Sequence, residues 1–351
     1  MASKQNSRVI LRSRPGKVNP PSLENFAVEP VEPPLVCEQG EILVKTLYLS
    51  VDPYMRSRMN EGGSVGYIAP FEIGKVLSGG GVGRVEESKS DKFSVGDIVE
   101  CFGFPWQHYC VLPEDHQSLR KVESEIVCEN PSLALGLCGL TALTSLIALQ
   151  ERGHIVPGQN QTVVVTGAAG ACGSAAGQIA KIFGCGKLVG ICGSEEKCQY
   201  IKELGFDSSI NYKQVDNMAE ELRKHCPQGI DVYFDNVGGE ISNEIIRLMN
   251  KNSHVIICGQ ISTYNQDIPY PNPLPQDVQE IVTKQNITRE RFLVLDFSPL
   301  IPAARAQLEV WVKEGKLKNR ETVEDGLENV AKAFLSMMSG GNIGKQVVKV
   351  A

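Results

Sequence analysis

The stretch Thr162–Gly177, TVVVTGAAGACGSAAG, decides how this chain is read. A β-branched run from Thr162 to Thr166 turns through glycines at 167, 170 and 173 and continues as a small-residue helix. Such a turn lets the backbone approach a pyrophosphate and aims a helix N-terminus at its charge. It departs from a strict G-x-G-x-x-G, because Ala168 holds the first position and only Gly170 and Gly173 supply the others. The next strand is KLVGIC (187–192), after which a protein reading a free ribose hydroxyl would place Asp or Glu. Here Cys192, Gly193 and Ser194 follow, and then Lys197. A missing carboxylate with a cation nearby suits a phosphorylated ribose, so the expected cofactor is NADPH.

Around this stretch, strands alternate with helical segments. The pattern predicts strand 162–166, helix 171–183, strand 187–192, helix 195–204, a short strand 208–211 and helix 216–226. Strand 230–235, helix 239–250 and strand 253–258 come next. Such alternation implies a parallel sheet covered by helices on both faces. ISTYNQDIPYPNPLPQD (261–277) is too Pro-rich for regular structure, and a long loop at the carboxyl end of a strand is usually functional. RFLVLDF (291–297) reads as a further strand, 302–313 as a helix, and GGNIGKQVVKV as a last strand returning to the N-terminal region. The first 120 or so residues are β-rich, with runs such as EILVKTLYLSV and GDIVECFGF between Pro, Gly and Asp turns.

Bulk properties exclude several classes. The 351 residues allow two domains, and a net charge of −6 argues against nucleic acid or an anionic membrane as main partner. MASKQNSR lacks the apolar core of a secretory signal. The uncharged stretch from Pro131 to Gln150 approaches the length of a membrane span but contains Gly136, Gly139, Thr141, Thr144 and Ser145, so a buried helical segment is expected. Eleven cysteines, an odd number without a C-x-x-C pair, fit a reducing cytoplasm better than a disulfide framework. The five histidines (108, 116, 154, 225 and 254) are scattered and none precedes Glu, so no metal is expected.

Other residues admit two readings each. Lys197 sits in a first helical turn, where a cation opposes the helix dipole; a bound phosphate would reverse that, and a solvated lysine is the plain alternative. Tyr212 could cap the same phosphate. Asn236 in DNVGG (235–239) is either a cofactor ligand or an Asx-turn residue. Cys258, Gly259 and Gln260 end a strand, where their backbone could reach the nicotinamide side. Tyr54, Tyr67 and Tyr264 are candidate donors to a developing oxyanion, although tyrosines more often pack than react.

Taken together, LYLSVDPYMR (47–56), GLTALTSL (139–146), VVVTGAAGACGSAAGQIAK (163–181), GICGSEEKC (190–198), ELGFDSSINYK (203–213), DVYFDNVGGE (231–240), HVIICGQISTYN (254–265), NITRERFLVLDF (286–297) and GNIGKQVV (341–348) resemble the zinc-independent medium-chain dehydrogenase/reductase superfamily. Within it they are similar to the alkenal and prostaglandin reductases. They keep their order across nearly the whole chain. Where zinc-bearing relatives have a cysteine ligand, this chain has Leu49-Ser50-Val51-Asp52.

The resemblance implies an α/β fold: a Rossmann-type doubly wound parallel sheet plus an N-terminal β-rich, GroES-like domain completed by the C-terminal tail. The expected boundaries are 1–130, 131–315 and 316–351. It implies that Gly170, Ala171, Cys172 and Gly173 hold the pyrophosphate, with Lys197 and Tyr212 at the 2′-phosphate. Asn236, Cys258, Gly259, Gln260, Ile261, Ser262, Thr263, Tyr264, Phe292, Leu293, Val294 and Asn342 complete the NADPH site. Substrate would lie between the domains near Phe102, Gly103, Tyr67, Tyr264, Leu293, Val294 and Leu295. In the related pattern an aromatic follows Phe102, where this chain has Gly103.

The implied reaction is reduction of the double bond of a 15-keto-prostaglandin, with hydride added to the β-carbon. Tyr264, Tyr67 and a ribose hydroxyl would stabilise the enolate oxygen. A zinc-free quinone or alkenal reductase is the competing enzymatic reading. An NADPH-binding structural or RNA-associated protein is disfavoured by the acidic charge and the lack of a basic stripe. The expected molecule is cytoplasmic, a monomer or homodimer, with a small lipid enone as its partner.

Overall fold

Among the described residues, nine strands share no sheet with the glycine-loop strand, and the polypeptide divides accordingly into two units, Met1–Gly136 with Glu321–Ala351, and Leu137–Arg320. The computed structural model describes residues 6–32, 35–62 and 68–351. In the first unit, β1 (Ser7–Leu11) and β2 (Phe26–Pro30) form an antiparallel pair. The strands β3 (Glu41–Ser50), β4 (Ser78–Ser88), β5 (Ile98–Pro105), β6 (Tyr109–Pro113) and β7 (Arg120–Lys121) are joined by antiparallel pairing. Their inward residues, including Ile42, Val44, Leu49, Val85 and Phe104, are buried with Trp106 and Phe334 in one core.

The second unit is built around β8 (Thr162–Thr166), β9 (Lys187–Cys192), β10 (Ser208–Asn211), β11 (Ile230–Asp235), β12 (Met249–Ile257) and β13 (Thr288–Arg291). All pair in parallel, in the order β10-β9-β8-β11-β12-β13. Every residue of β8 is buried, as a continuous apolar run in a sheet covered on both faces requires. Strand order reverses between β8 and β11, which makes their carboxyl ends the topological switch point of the sheet.

Several elements differ from the sequence reading. RFLVLDF is not a strand: β13 lies earlier, and Val294–Leu300 forms a 3-10 turn. β12 ends at Ile257, and the Phe292 N–H donates to the Ile257 carbonyl (2.9 Å), so the ladder has no partner for the residues beyond. The helix expected over 239–250 stops at Arg247, because the sheet captures Leu248, whose carbonyl accepts from Ile230 N–H (3.2 Å). The Pro-rich linker is irregular through Pro275 and has a cis Tyr270–Pro271 bond; an unanticipated helix, Gln276–Lys284, follows it.

The chain then re-enters the first unit. β14 (Glu321–Asp325) pairs in parallel with β15 (Lys345–Lys349), which pairs antiparallel with β3. The tail thus completes the N-terminal sheet. Lys345 fixes this closure: its side chain is 4% exposed, and its Nζ donates to the Val51 carbonyl (3.0 Å), Asp52 Oδ1 (3.1 Å) and the Gln346 carbonyl (3.0 Å). Asp52 Oδ2 accepts from Ser50 Oγ. Removing one partner of such a buried pair strands the other charge. Lys345→Met should therefore cost about 3–5 kcal/mol of stability, read as a lowered denaturant midpoint at unchanged slope.

Candidate functional site

At the carboxyl end of β8 the chain turns at once. The Gly170 N–H donates to the Gly167 carbonyl (2.9 Å), and Gly170 caps helix Ala171–Ile182 with extended backbone. The first intrahelical bond from this cap is Ser174 N–H to the Gly170 carbonyl (2.9 Å), so the N–H groups of Ala171, Cys172 and Gly173 point out of the helix start. Gly173 is there because nothing larger fits: a Cβ would stand 2.3 Å from the Gly167 carbonyl oxygen and 2.8 Å from the Ala168 Cα. The loop is thus folded tightly against its own helix, leaving bare backbone facing outward. That cradle fits a pyrophosphate.

After β9 the corresponding turn carries Gly193 and Ser194. Ser194 Oγ accepts the Lys197 N–H (3.3 Å) as the cap of helix Glu195–Glu203. Tyr212 reaches back from the end of β10, its N–H bonded to the Cys192 carbonyl (3.0 Å) and its ring against Gly193. Lys197 is half-buried, and desolvation lowers its pKa, with Lys213 acting in the same direction. A dianion beside this ammonium would restore its proton affinity, which is the fit a 2′-phosphate offers. Lys213, stacked near the Tyr212 ring at 6.0 Å, belongs to the same corner, and sequence reasoning passed over it.

On the other side of β8, at the end of β11, lies a buried polar node. Asp235, 1% exposed, accepts at Oδ1 from Tyr233 Oη (2.7 Å), Val237 N (2.9 Å), Gly238 N (2.9 Å) and Thr166 Oγ1 (3.2 Å), and at Oδ2 from Ser242 Oγ (2.7 Å). Burial and the neighbouring Asp235 charge push the Tyr233 phenol well up, keeping it a donor. Asn236 N–H donates to Thr166 Oγ1 (3.1 Å) and Asn236 Nδ2 to the Thr166 carbonyl (2.7 Å). The Asp235 carbonyl accepts from Cys258 N (2.9 Å) and Gly259 N (3.0 Å). The neighbouring Cys172 thiol, together with burial, pushes the Cys258 pKa well up.

The run Ile261–Thr263 makes a single 3-10 turn that brings Tyr264 back over Gly259, where Gln260 N–H donates to its phenol oxygen (3.4 Å). Asn272 locks this turn: its N–H donates to Gln260 Oε1 (2.8 Å), its side chain bonds Thr263 Oγ1 (3.0 Å), and its carbonyl accepts from Arg289 (2.9 Å). Ser262 Oγ donates to the Val237 carbonyl (2.6 Å). Phe292 is buried and stacks on Phe297 with centroids 5.1 Å apart; Leu293 caps the turn, Val294 is buried and Leu295 is 42% exposed. Within the second unit, then, Asn236, Cys258–Gln260 and Tyr264 share one carboxyl edge with the glycine loop.

In the first unit Phe102 packs on Tyr54, centroids 5.7 Å apart. Gly103 has φ +95, a conformation an aromatic L-residue adopts only with strain. Asn342 Nδ2 donates to the Gly344 carbonyl (2.8 Å), closing its own turn. Tyr67 lies outside the described residues. Among the described residues, no group of three or more His, Cys, Asp or Glu is placed to hold a metal ion, and no helix is long and apolar enough to cross a membrane.

Residues 7–122 match a family model described as an N-terminal domain of oxidoreductase, and residues 171–295 one described as zinc-binding dehydrogenase. The chain is 38% identical to the NADPH-dependent curcumin reductase of Escherichia coli, over 99% of this chain and 97% of the relative. It is 40% identical to prostaglandin reductase 1 of Rattus norvegicus, over 94% and 95% respectively. The chain belongs to the zinc-independent medium-chain dehydrogenase/reductase superfamily. A solved structure of CurA from Vibrio vulnificus in complex with NADPH is 36% identical and superposes with a TM-score of 0.88, covering 98% of this chain and 99% of that one.

The tight glycine loop gives a first test independent of any ligand. Gly173→Ala forces a Cβ against the backbone of Gly167 and Ala168. Overpacking of this kind costs about 1–3 kcal/mol, so the variant should unfold at lower denaturant; an unchanged midpoint would mean the loop gives way freely.

Proposed function

We propose that this chain reduces the double bond of a conjugated enone with NADPH, and that 15-keto-prostaglandins, reduced across C13–C14, are its substrates. It is an NADPH-dependent oxidoreductase of the medium-chain superfamily. The observation that carries the finer reading is Tyr264, a phenol held by a locked turn at the carboxyl edge of β12, on the same edge of the sheet as the glycine loop and two strands from it. Support comes also from the 40% identity to prostaglandin reductase 1. The linker YNQDIPYPNPL and the tail ENVAKAFLSMMSGGNIGKQ, moreover, resemble those of prostaglandin reductase 2. Eleven cysteines that all remain thiols suit a cytoplasmic enzyme.

In this reading Gly170–Gly173 hold the pyrophosphate, Lys197 and Tyr212 the 2′-phosphate, and Asn236 with Cys258–Gln260 the nicotinamide half. Phe292–Val294 and Asn342 complete the cofactor's surroundings. Bound NADPH supplies the hydride that reduces the β-carbon. The protein's task is the oxygen: as negative charge gathers on the carbonyl, Tyr264 donates a hydrogen bond to it, with Tyr67 as a second donor. Phe102, Gly103 and Leu293–Leu295 would line the substrate chain. The α-carbon then takes its proton from a phenol or from water.

One well-placed oxyanion donor is worth about 3–4 kcal/mol, or on the order of 10²–10³ in turnover. Tyr264→Phe should lower kcat by about that factor while NADPH affinity stays within about twofold. Unchanged turnover would remove Tyr264 from the chemistry. Comparing NADPH oxidation with 15-keto-prostaglandin E2 and with a simple quinone tests the substrate: faster quinone turnover would replace the proposal with the quinone-reductase reading. Lys197→Ala should raise KM for NADPH at least about tenfold and leave KM for NADH nearly unchanged; an unaltered preference would take Lys197 off the phosphate.

A further inference from the structure

We infer that Thr166 and Asp235 form a positioning pair for the cofactor: together they set the distance across the switch point between the glycine loop and the Asn236 turn, without either touching NADPH. Thr166 is the last residue of β8 and Asp235 the last of β11, the two strands at which strand order reverses. The Thr166 hydroxyl works in both directions, accepting the Asn236 N–H (3.1 Å) and donating to Asp235 Oδ1 (3.2 Å). Its carbonyl accepts the Asn236 side-chain amide (2.7 Å), one residue before the glycine turn begins. Asp235 gathers the Val237 and Gly238 N–H groups on one side and, through its backbone carbonyl, Cys258 and Gly259 on the other. The ends of β8 and β11 are thereby referenced to one hydroxyl and one carboxylate, both fully or almost fully buried, and the end of β12 to the backbone of the same aspartate.

The donors to Asp235 divide by what lies behind them. Thr166 leads to Asn236 and the loop, whereas Ser242 belongs to helix Gly239–Arg247 and donates to the other carboxylate oxygen, with the Tyr233 hydroxyl lying 2.6 Å from Ser242 Oγ and 3.2 Å from Thr166 Oγ1. Deleting either hydroxyl takes one donor from the same buried group. A purely structural node would respond alike to both, and a positioning pair would not. The inference rests on the assignment of Asn236 and Cys258–Gln260 to NADPH proposed above.

The test uses the full-length protein, titrated with NADPH and followed by nicotinamide fluorescence, alongside thermal unfolding without nucleotide. Thr166→Val keeps the shape and removes the hydroxyl's contacts with Asn236, Asp235 and Tyr233, and should raise the NADPH Kd about tenfold or more. Thr166→Ser should restore near-normal affinity. Ser242→Ala should lower the unfolding temperature about as much as Thr166→Val yet leave Kd within about twofold. Equal shifts in Kd for the two hydroxyl deletions, or none in Thr166→Val, overturn the pair. Asn236→Ala separates the levels. Weakened binding there with normal binding in Thr166→Val overturns the positioning role alone, whereas normal binding in Asn236→Ala overturns the assignment of Asn236 and this inference with it.

Discussion

A buried carboxylate that forms no salt bridge among the described residues leans on dipoles, and Asp235, with the Arg289 charge felt only at a distance, accepts from three hydroxyls and two backbone N–H groups. These donors come from β8, from β11, from the turn after β11 and from the helix that follows. A parallel sheet opens a crevice where its crossovers diverge, and hydrophobic packing alone does not define the geometry of a crevice. Hydrogen bonds to a charged group do, because they are short, directional and costly to break in a low-dielectric interior. The polar node thus does for the edge of the sheet what Val163–Val165 do for its interior.

The two halves of the nucleotide-binding edge use different means. The glycine-loop side relies on what is missing: without a Cβ at Gly173 the loop folds closely against its own helix. The Tyr264 side relies on cross-bracing, with Asn272, Gln260 and Thr263 tying a Pro-rich linker back onto a single turn. Backbone cradles suit a diffuse phosphate charge, which needs many N–H groups at similar distance. In the proposed reaction the Tyr264 phenol must find one oxygen atom, which needs a fixed side chain, and a braced turn provides one.

Much of this was legible in the sequence, for local reasons. TVVVTGAAGACGSAAG contains its own strand, turn and helix, so neighbours in sequence suffice to read it. The edge strands were not legible in the same way. TRER (288–291) and ETVED (321–325) are polar, partly exposed and short, and only pairing with β12 and β15 makes them strands. RFLVLDF carried the stronger β pattern and lost, because the ladder ends with β12. In the sequence Asp235 is only the last residue of an expected strand; its five donors come from positions 2 to 69 residues away. Tyr54, Asn236 and Tyr264 were singled out by position, but their hydrogen-bond and ring partners required coordinates.

The Lys345–Asp52 bridge joins residues 293 positions apart, and it lies on a strand that pairs with β3 near the start of the fold. The second unit, by contrast, is one continuous segment. During synthesis the N-terminal sheet emerges first yet cannot close until residues 345–349 have followed. The nucleotide-binding unit has all of its strands by residue 291. Order of appearance and order of completion are therefore reversed, and β3 waits with an open edge while the later unit is made.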